Sequence, residues 1–199
     1  MEFVDYAKRI IRLKDEDLEL RDRLIQNREL SQGYNEEMEK LHKRNSKILN
    51  EIIDEIGYPT IEKVGGEASE AAWLIIQHSI GQPEFMRKCV DLLKNVVNEN
   101  KANRINLAFL TDRIAVFEGK PQLYGTQFDW DETGELIPNQ FDDLDRVNYR
   151  RKSIGLNKLE EQIEIMRRRV KNESQSPPTD FEKRKEQFEQ WRKKTGWIK

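Results

Sequence analysis

Between Gly57 and Gln127 the chain carries few charges, and three polar clusters there adjoin apolar runs. They are Gln77-His78 after Ala-Ala-Trp-Leu-Ile-Ile, Thr111-Asp112-Arg113 after Leu-Ala-Phe-Leu, and Tyr124-Gly125-Thr126-Gln127. Polar side chains in such settings must be hydrogen-bonded or they cost stability. His78 shares a helical face with Ala71, Leu74 and Ile75, and an imidazole placed there is a candidate general acid or base, because its charge changes near neutral pH. Asp112 is a candidate to orient it, as a carboxylate often orients a catalytic imidazole. Arg113 lies on the face of Phe109, Leu110 and Phe117, from which a guanidinium can reach a carboxylate or phosphate bidentately. Tyr124 is a candidate proton donor or oxyanion binder, and Gln77, Thr126 and Gln127 are candidates to hold a polar ligand. The same residues admit a second reading, in which they form a hydrogen-bond network that pins helices and a hairpin together and does no chemistry.

The elements that must position these groups are mostly helices. Phe3, Tyr6, Ile10 and Leu13, prolonged by Leu18, Leu24 and Ile25, recur at helical spacing. After a break at Ser31-Gln32-Gly33, a second stripe of Met38, Leu41, Ile48, Leu49, Ile52, Ile53 and Ile56 runs to Gly57-Tyr58-Pro59. Glycine in the left-handed conformation and a following proline should end that helix, and the two stripes together predict a helical hairpin. Further helices are expected over Thr60–Val64, Glu67–Ser79, Pro83 to about Asn98, and from an Asn103 cap to a stop at Gly119. Pro121 to Gln127 reads as a strand, with Gln122, Tyr124 and Thr126 on one side, and with Asp129–Gly134 as the turn of a hairpin near 121–138. Gly125 inside that strand signals a bulge or a close approach by a ligand or another backbone. Helices then resume over Asp143–Ile154 and from Asn157, with capping-box spacing at Asn157 and Glu160 and again at Thr179 and Glu182.

The expected fold is therefore mainly α: a multi-helix domain over 1–170 with a small antiparallel β-hairpin, a linker over 171–178 and a helical C-terminal appendage over 179–199. Charge is balanced overall at −2, with 37 acidic and 35 basic residues, which gives no global pull toward nucleic acid. Locally, Leu107–Leu144 holds eight acidic residues against two basic, and Asp145–Lys199 sixteen basic against nine acidic. An acidic middle followed by a basic tail can dock intramolecularly, stay solvated, or bind an anionic partner. Cys89 is the only cysteine, which removes intrachain disulfides and cysteine metal clusters and suits a reducing compartment. Met1–Lys8 lacks a signal peptide's basic start and apolar stretch, and the longest apolar run, Ala71–Ile76, is far short of the roughly 20 residues that span a bilayer. A cytoplasmic protein without membrane partners is expected.

Phosphate-binding glycine loops, nucleophile elbows and zinc-binding motifs are missing from the sequence. Only His42 and His78 are available as histidines and His42 lies in a charged helix, so neither a metal nor another cofactor is expected. The basic run Arg167-Arg-Arg-Val-Lys171 has flanking glutamates and no aromatic platform, and nucleic acid is not an expected partner.

Taken in order, Gly57-Tyr-Pro-Thr60, Val64-Gly65, Ala71-Ala-Trp-Leu74 with Gln77-His78, Pro83-Glu-Phe85, Leu110-Thr-Asp-Arg113, Gly119-Lys-Pro-Gln122, Tyr124-Gly-Thr-Gln127, and Arg150-Arg with Gly155-Leu156 resemble a bacterial family known as domain of unknown function 6624. The likeness runs from about Leu18 to Met166. Departures are Tyr58, where members often have tryptophan; Ser79, where they have alanine; and Gln82, where an aspartate often precedes the proline. The resemblance implies a shared fold and a shared polar site, and brings no reaction with it. Two functions follow from these readings: a protein that binds or transforms a small polar or anionic ligand with His78 as acid/base, or a noncatalytic module that meets a protein partner.

Overall fold

The computed structural model describes residues 2–27, 29 and 34–199. The break expected at Ser31–Gly33 lies outside the described residues. Two compact units emerge, Met1–Asn103 and Arg104–Lys199.

The first unit is all helix: α1 (Glu2–Gln26), α2 (Glu36–Ile56), α3 (Ile61–Val64), α4 (Gly66–His78) and α5 (Pro83–Asn98). Asn35 starts α2 by accepting hydrogen bonds on Oδ1 from the Glu37 and Met38 amides at 2.9 and 3.2 Å, which satisfies donors that have no partner inside the helix. At the other end, Gly57 takes φ 72 with an extended ψ of −164 rather than the left-handed helical conformation expected. The Gly57 amide still closes the helix on the Ile53 carbonyl at 2.8 Å, and the Lys63 ammonium donates to the Ile56 and Tyr58 carbonyls on either side of the glycine. Helices α1, α2 and α4 pack on one another in all three pairings, α3 lies against α1 and α4, and α5 lies against α4. Ile10, Leu24, Leu49, Ile52, Ile75, Ile76, Met86 and Leu93 are each no more than 1% exposed and form the core. Burial of such a side chain is worth about 1.5–3 kcal/mol.

The second unit comprises α6 (Arg104–Phe117), a two-stranded antiparallel hairpin of β1 (Phe128–Trp130) and β2 (Leu136–Pro138), then α7 (Leu144–Ser153), α8 (Leu159–Asn172) and α9 (Phe181–Thr195). Asp129 pairs with Ile137 across the hairpin. Its turn is closed by Asp131, whose Oδ1 accepts from the Thr133 and Glu135 amides.

The hairpin is shorter than expected, because residues 123–127 are a loop and only Gln122 makes an isolated bridge, to Phe141. Buried side chains take the backbone groups that a neighbouring strand would have used. The Asp112 carboxylate accepts from the amides of Leu123, Tyr124 and Thr126. The Arg151 guanidinium donates to the carbonyl of Tyr124 at 2.8 Å. Gln122, fully buried, donates to the carbonyls of Gln127 and Asn139 and accepts from the Gln127 amide. Gly125 has φ +63, and a Cβ there would lie 2.8 Å from Leu159 Cδ1, so what comes close to this glycine is the side chain of the first residue of α8 rather than a ligand or another backbone.

Both capping boxes expected downstream are replaced. Asn157 is engaged by Arg151, and the start of α8 is held instead by Asn148 of α7, whose Oδ1 accepts from the Leu159 amide at 2.8 Å. Asp180, not Thr179, caps α9 by accepting from the Lys183 amide. The basic tail meets the acidic middle through Arg167–Glu135 and Arg184–Asp129 pairs at 2.8 and 2.7 Å. Phe117 of α6 receives Trp191 edge-on at 5.3 Å and Trp197 at 5.0 Å. Among the described residues, no helix is long and apolar enough to cross a membrane.

Candidate functional site

In the first unit, α1, α2 and α4 each place polar as well as apolar residues on the stripe that faces the other two. On α1 the stripe runs Tyr6, Ile10, Leu13, Asp17, Leu24; on α2 it runs Met38, His42, Asn45, Leu49, Ile52; on α4 it runs Ala68, Ala71, Ile75, His78. Asp17, His42 and His78 therefore converge, with their side chains 1%, 8% and 26% exposed. His78, at the C-terminal end of α4, is the one open to solvent.

The Asp17 carboxylate joins the two rings. His78 Nδ1 lies 2.9 Å from Asp17 Oδ1 and 3.0 Å from Oδ2. His42 Nε2 lies 3.2 Å from the same Oδ2, within reach of charge attraction when the ring is protonated, and this buried nitrogen has no hydrogen-bond partner of ordinary geometry. The other His42 nitrogen, Nδ1, is 2.6 Å from the Tyr34 hydroxyl. Ring centroids are 5.4 Å apart for the two histidines and 5.7 Å for Tyr34 and His42. No lysine or arginine pairs with Asp17 among the described residues. Burial opposes its charge, yet the two imidazoles outweigh that effect and hold its carboxyl well below the ordinary 3.8, so Asp17 is an anion at neutral pH. Burial pushes the Tyr34 phenol up, which keeps it a neutral hydroxyl.

This arrangement can do two things chemically. A carboxylate on Nδ1 fixes the tautomer and direction of an imidazole whose edge meets solvent, which suits proton transfer. Two imidazoles and a carboxylate whose donor atoms all lie within 4.8 Å of one another can also ligate a metal ion.

The family model described as a family of unknown function, DUF6624, matches residues 10–171. The chain belongs to the DUF6624 family. All three cluster residues of this DUF6624 member fall within the matched segment, whereas α9 lies beyond it. No curated protein and no solved structure matches the chain.

Among the residues expected from sequence, His78 sits in this cluster and Gln77, 5% exposed, precedes it on α4. Its carboxylate partner in this DUF6624 chain is Asp17, whereas Asp112 belongs to the second unit and spends both oxygens on loop amides. Burial raises the Asp112 carboxyl, and the amides of Thr126, Leu123 and Tyr124 pull it part of the way back. Thr126 Oγ1 accepts from Gln127 Nε2 at 3.0 Å, Tyr124 is half-buried with its phenol pushed up by that burial, and desolvation lowers the Arg113 guanidinium from the usual arginine value. Asp17 does not stand out in the sequence and His42 is set aside there, because each stands among charged neighbours. The signal lay in their registers, seven residues before Leu24 and four after Met38, where a polar residue interrupts a buried stripe.

Proposed function

We propose that this chain is a cytoplasmic protein that binds a small polar or anionic ligand at the solvent-facing edge of the Asp17–His42–His78 cluster, with His78 as the acid/base group and Asp17 as the group that orients it. The observation that carries this reading is the pairing of a partly exposed imidazole with a fully buried, ionised carboxylate. A carboxylate placed only for stability would be costly here, because burying a charge without a fixed cation forfeits several kcal/mol of hydration. Such expense is expected where chemistry needs it. The single cysteine, Cys89, is buried and unpaired, which supports a reducing compartment.

Asp112, Tyr124, Thr126 and Gln127, with Arg113 alongside them, are proposed to hold the fold of the second unit. The three amides converging on Asp112 favour this noncatalytic network for that part of the chain. Thermal shift in EDTA tests the assignment, with phosphate and small carboxylates as probes against wild type, His78→Ala and Gln127→Ala. A probe should stabilise wild type and Gln127→Ala and lose its effect in His78→Ala. Equal shifts in all three would end the case for His78.

A further inference from the structure

We infer that Asp17, His42 and His78 form a binding site for one divalent first-row transition metal ion, zinc or ferrous iron being the best matched by two imidazoles and a carboxylate. The inference rests on the reading above for the place of the site and not for the acid/base role of His78.

Two of the three distances between ligand atoms fit a single ion, and all three atoms lie within 4.8 Å of one another. Ligand atoms about 2.1 Å from an ion stand about 3.0 Å apart at right angles and about 3.4 Å apart at the tetrahedral angle. Asp17 Oδ2 is 3.0 Å from His78 Nδ1 and 3.2 Å from His42 Nε2, within the span such an ion would impose. A second observation is independent of that spacing. His42 Nε2 is a buried nitrogen without a hydrogen-bond partner, 3.2 Å from a carboxylate oxygen, on a side chain 8% exposed. An unsatisfied nitrogen of this kind is costly in a metal-free core and is relieved by coordination. The far side of the ring completes the pattern, because Tyr34 at 2.6 Å can accept the Nδ1 proton and leave Nε2 unprotonated, the outer hydrogen bond that ligating histidines ordinarily make.

The donor set also narrows the ion. Imidazole nitrogens favour zinc, iron, nickel or copper over magnesium and calcium, which take oxygen ligands. Three protein ligands leave coordination positions open on the partly exposed His78 side, the mark of a site that takes water or a substrate rather than a closed structural one. Charge agrees, since a buried carboxylate with no lysine or arginine partner among the described residues faces two imidazoles that carry no charge when neutral. A dication placed at the end of α4 also meets the negative end of that helix.

The test uses the full, tag-free chain stripped with EDTA and titrated with Co2+, whose visible absorption reports ordered coordination, followed by competition with Zn2+. One Co2+ per chain, retained through gel filtration and displaced by Zn2+, is expected. Affinity should fall by at least about 100-fold in His42→Gln and His78→Gln and by about tenfold in Tyr34→Phe. His78→Gln changes a partly exposed side chain, so it keeps the test meaningful if His42→Gln unfolds by circular dichroism. Wild-type protein that retains no Co2+, or variants that bind it as tightly as wild type, would overturn the site. Loss of Co2+ binding in a wild type that still shows the phosphate- or carboxylate-dependent shift removes the metal alone. Stoichiometric Co2+ that depends on His42 and His78, without any such shift, supports the metal and removes the acid/base reading.

Discussion

Replacing Asp112 by asparagine keeps the shape of the side chain and removes one acceptor, so it isolates what the carboxylate does. Its Oδ1 accepts from Leu123 at 2.8 Å and Tyr124 at 3.1 Å, and its Oδ2 accepts from Thr126 at 2.9 Å and Tyr124 at 3.2 Å. Whichever way the new amide turns, an NH2 group faces at least one of these short N–H donors. A hydrogen bond to a charged group is worth about 1.5–3 kcal/mol, and a buried donor left unsatisfied costs about 1–3 kcal/mol. Together these come to about 4 kcal/mol. The neutral amide recovers part of this because burial already disfavours the Asp112 charge, which leaves a loss of about 3 kcal/mol. At roughly 2–4 °C per kcal/mol for a chain of this size, Tm should fall by about 10 °C. Thermal melting and urea unfolding followed at 222 nm measure the change. The cluster at Asp17 should be untouched, so Asp112→Asn should hold Co2+ as wild type does. A Tm within about 2 °C of wild type would refute the network, and loss of Co2+ from a folded Asp112→Asn protein would refute its separation from the site.

Two other outcomes are expected. Gly125→Ala should cost about 2–3 kcal/mol by urea midpoint, from a positive φ and a collision with Leu159 at 2.8 Å. Adding Leu159→Ala should relieve only the collision, so that the double substitution costs less than the two singles summed; simple additivity would contradict the geometry. Burial pushes the Cys89 thiol up to about 12, against a smaller downward pull from Lys88. Its folded value exceeds its unfolded one, so the stability this group contributes is complete below about pH 9 and declines as pH rises beyond that. In the native chain at pH 8 it should react with a disulfide reagent at least about 100-fold more slowly than in concentrated urea, and equal rates would show that it is not buried.

Most of the helices were legible because their signal is local. Hydrophobic spacing along α1 and α2, Pro83 opening α5 and Gly57 closing α2 each require only neighbours within a turn or two. The loop at 123–127 was not legible, because aromatic and β-compatible residues there match a strand as well as they match a segment whose amides are claimed by a distant aspartate. The caps of α8 and α9 failed for a related reason: Asn157 has the right spacing for a cap, but Arg151 competes for it and Asn148 stands ready across the helix junction.

The site divides along the same line. His78 stood out as a polar residue ending an apolar run, which a single helix suffices to reveal. Its partners did not, because Asp17 and His42 lie 61 and 36 positions before it and among charged residues. Their side chains differ from surrounding surface charges only in register, by falling on the buried stripe of a helix. By itself the sequence determined which faces of α1, α2 and α4 must turn inward, since periodicity follows from backbone geometry. Only the tertiary structure decided that Asp17, His42 and His78, one from each face, would meet at the same height along the three helices. That choice depends on the axial offset between packed helices, which is set by side-chain interlocking across the whole interface and by no local spacing.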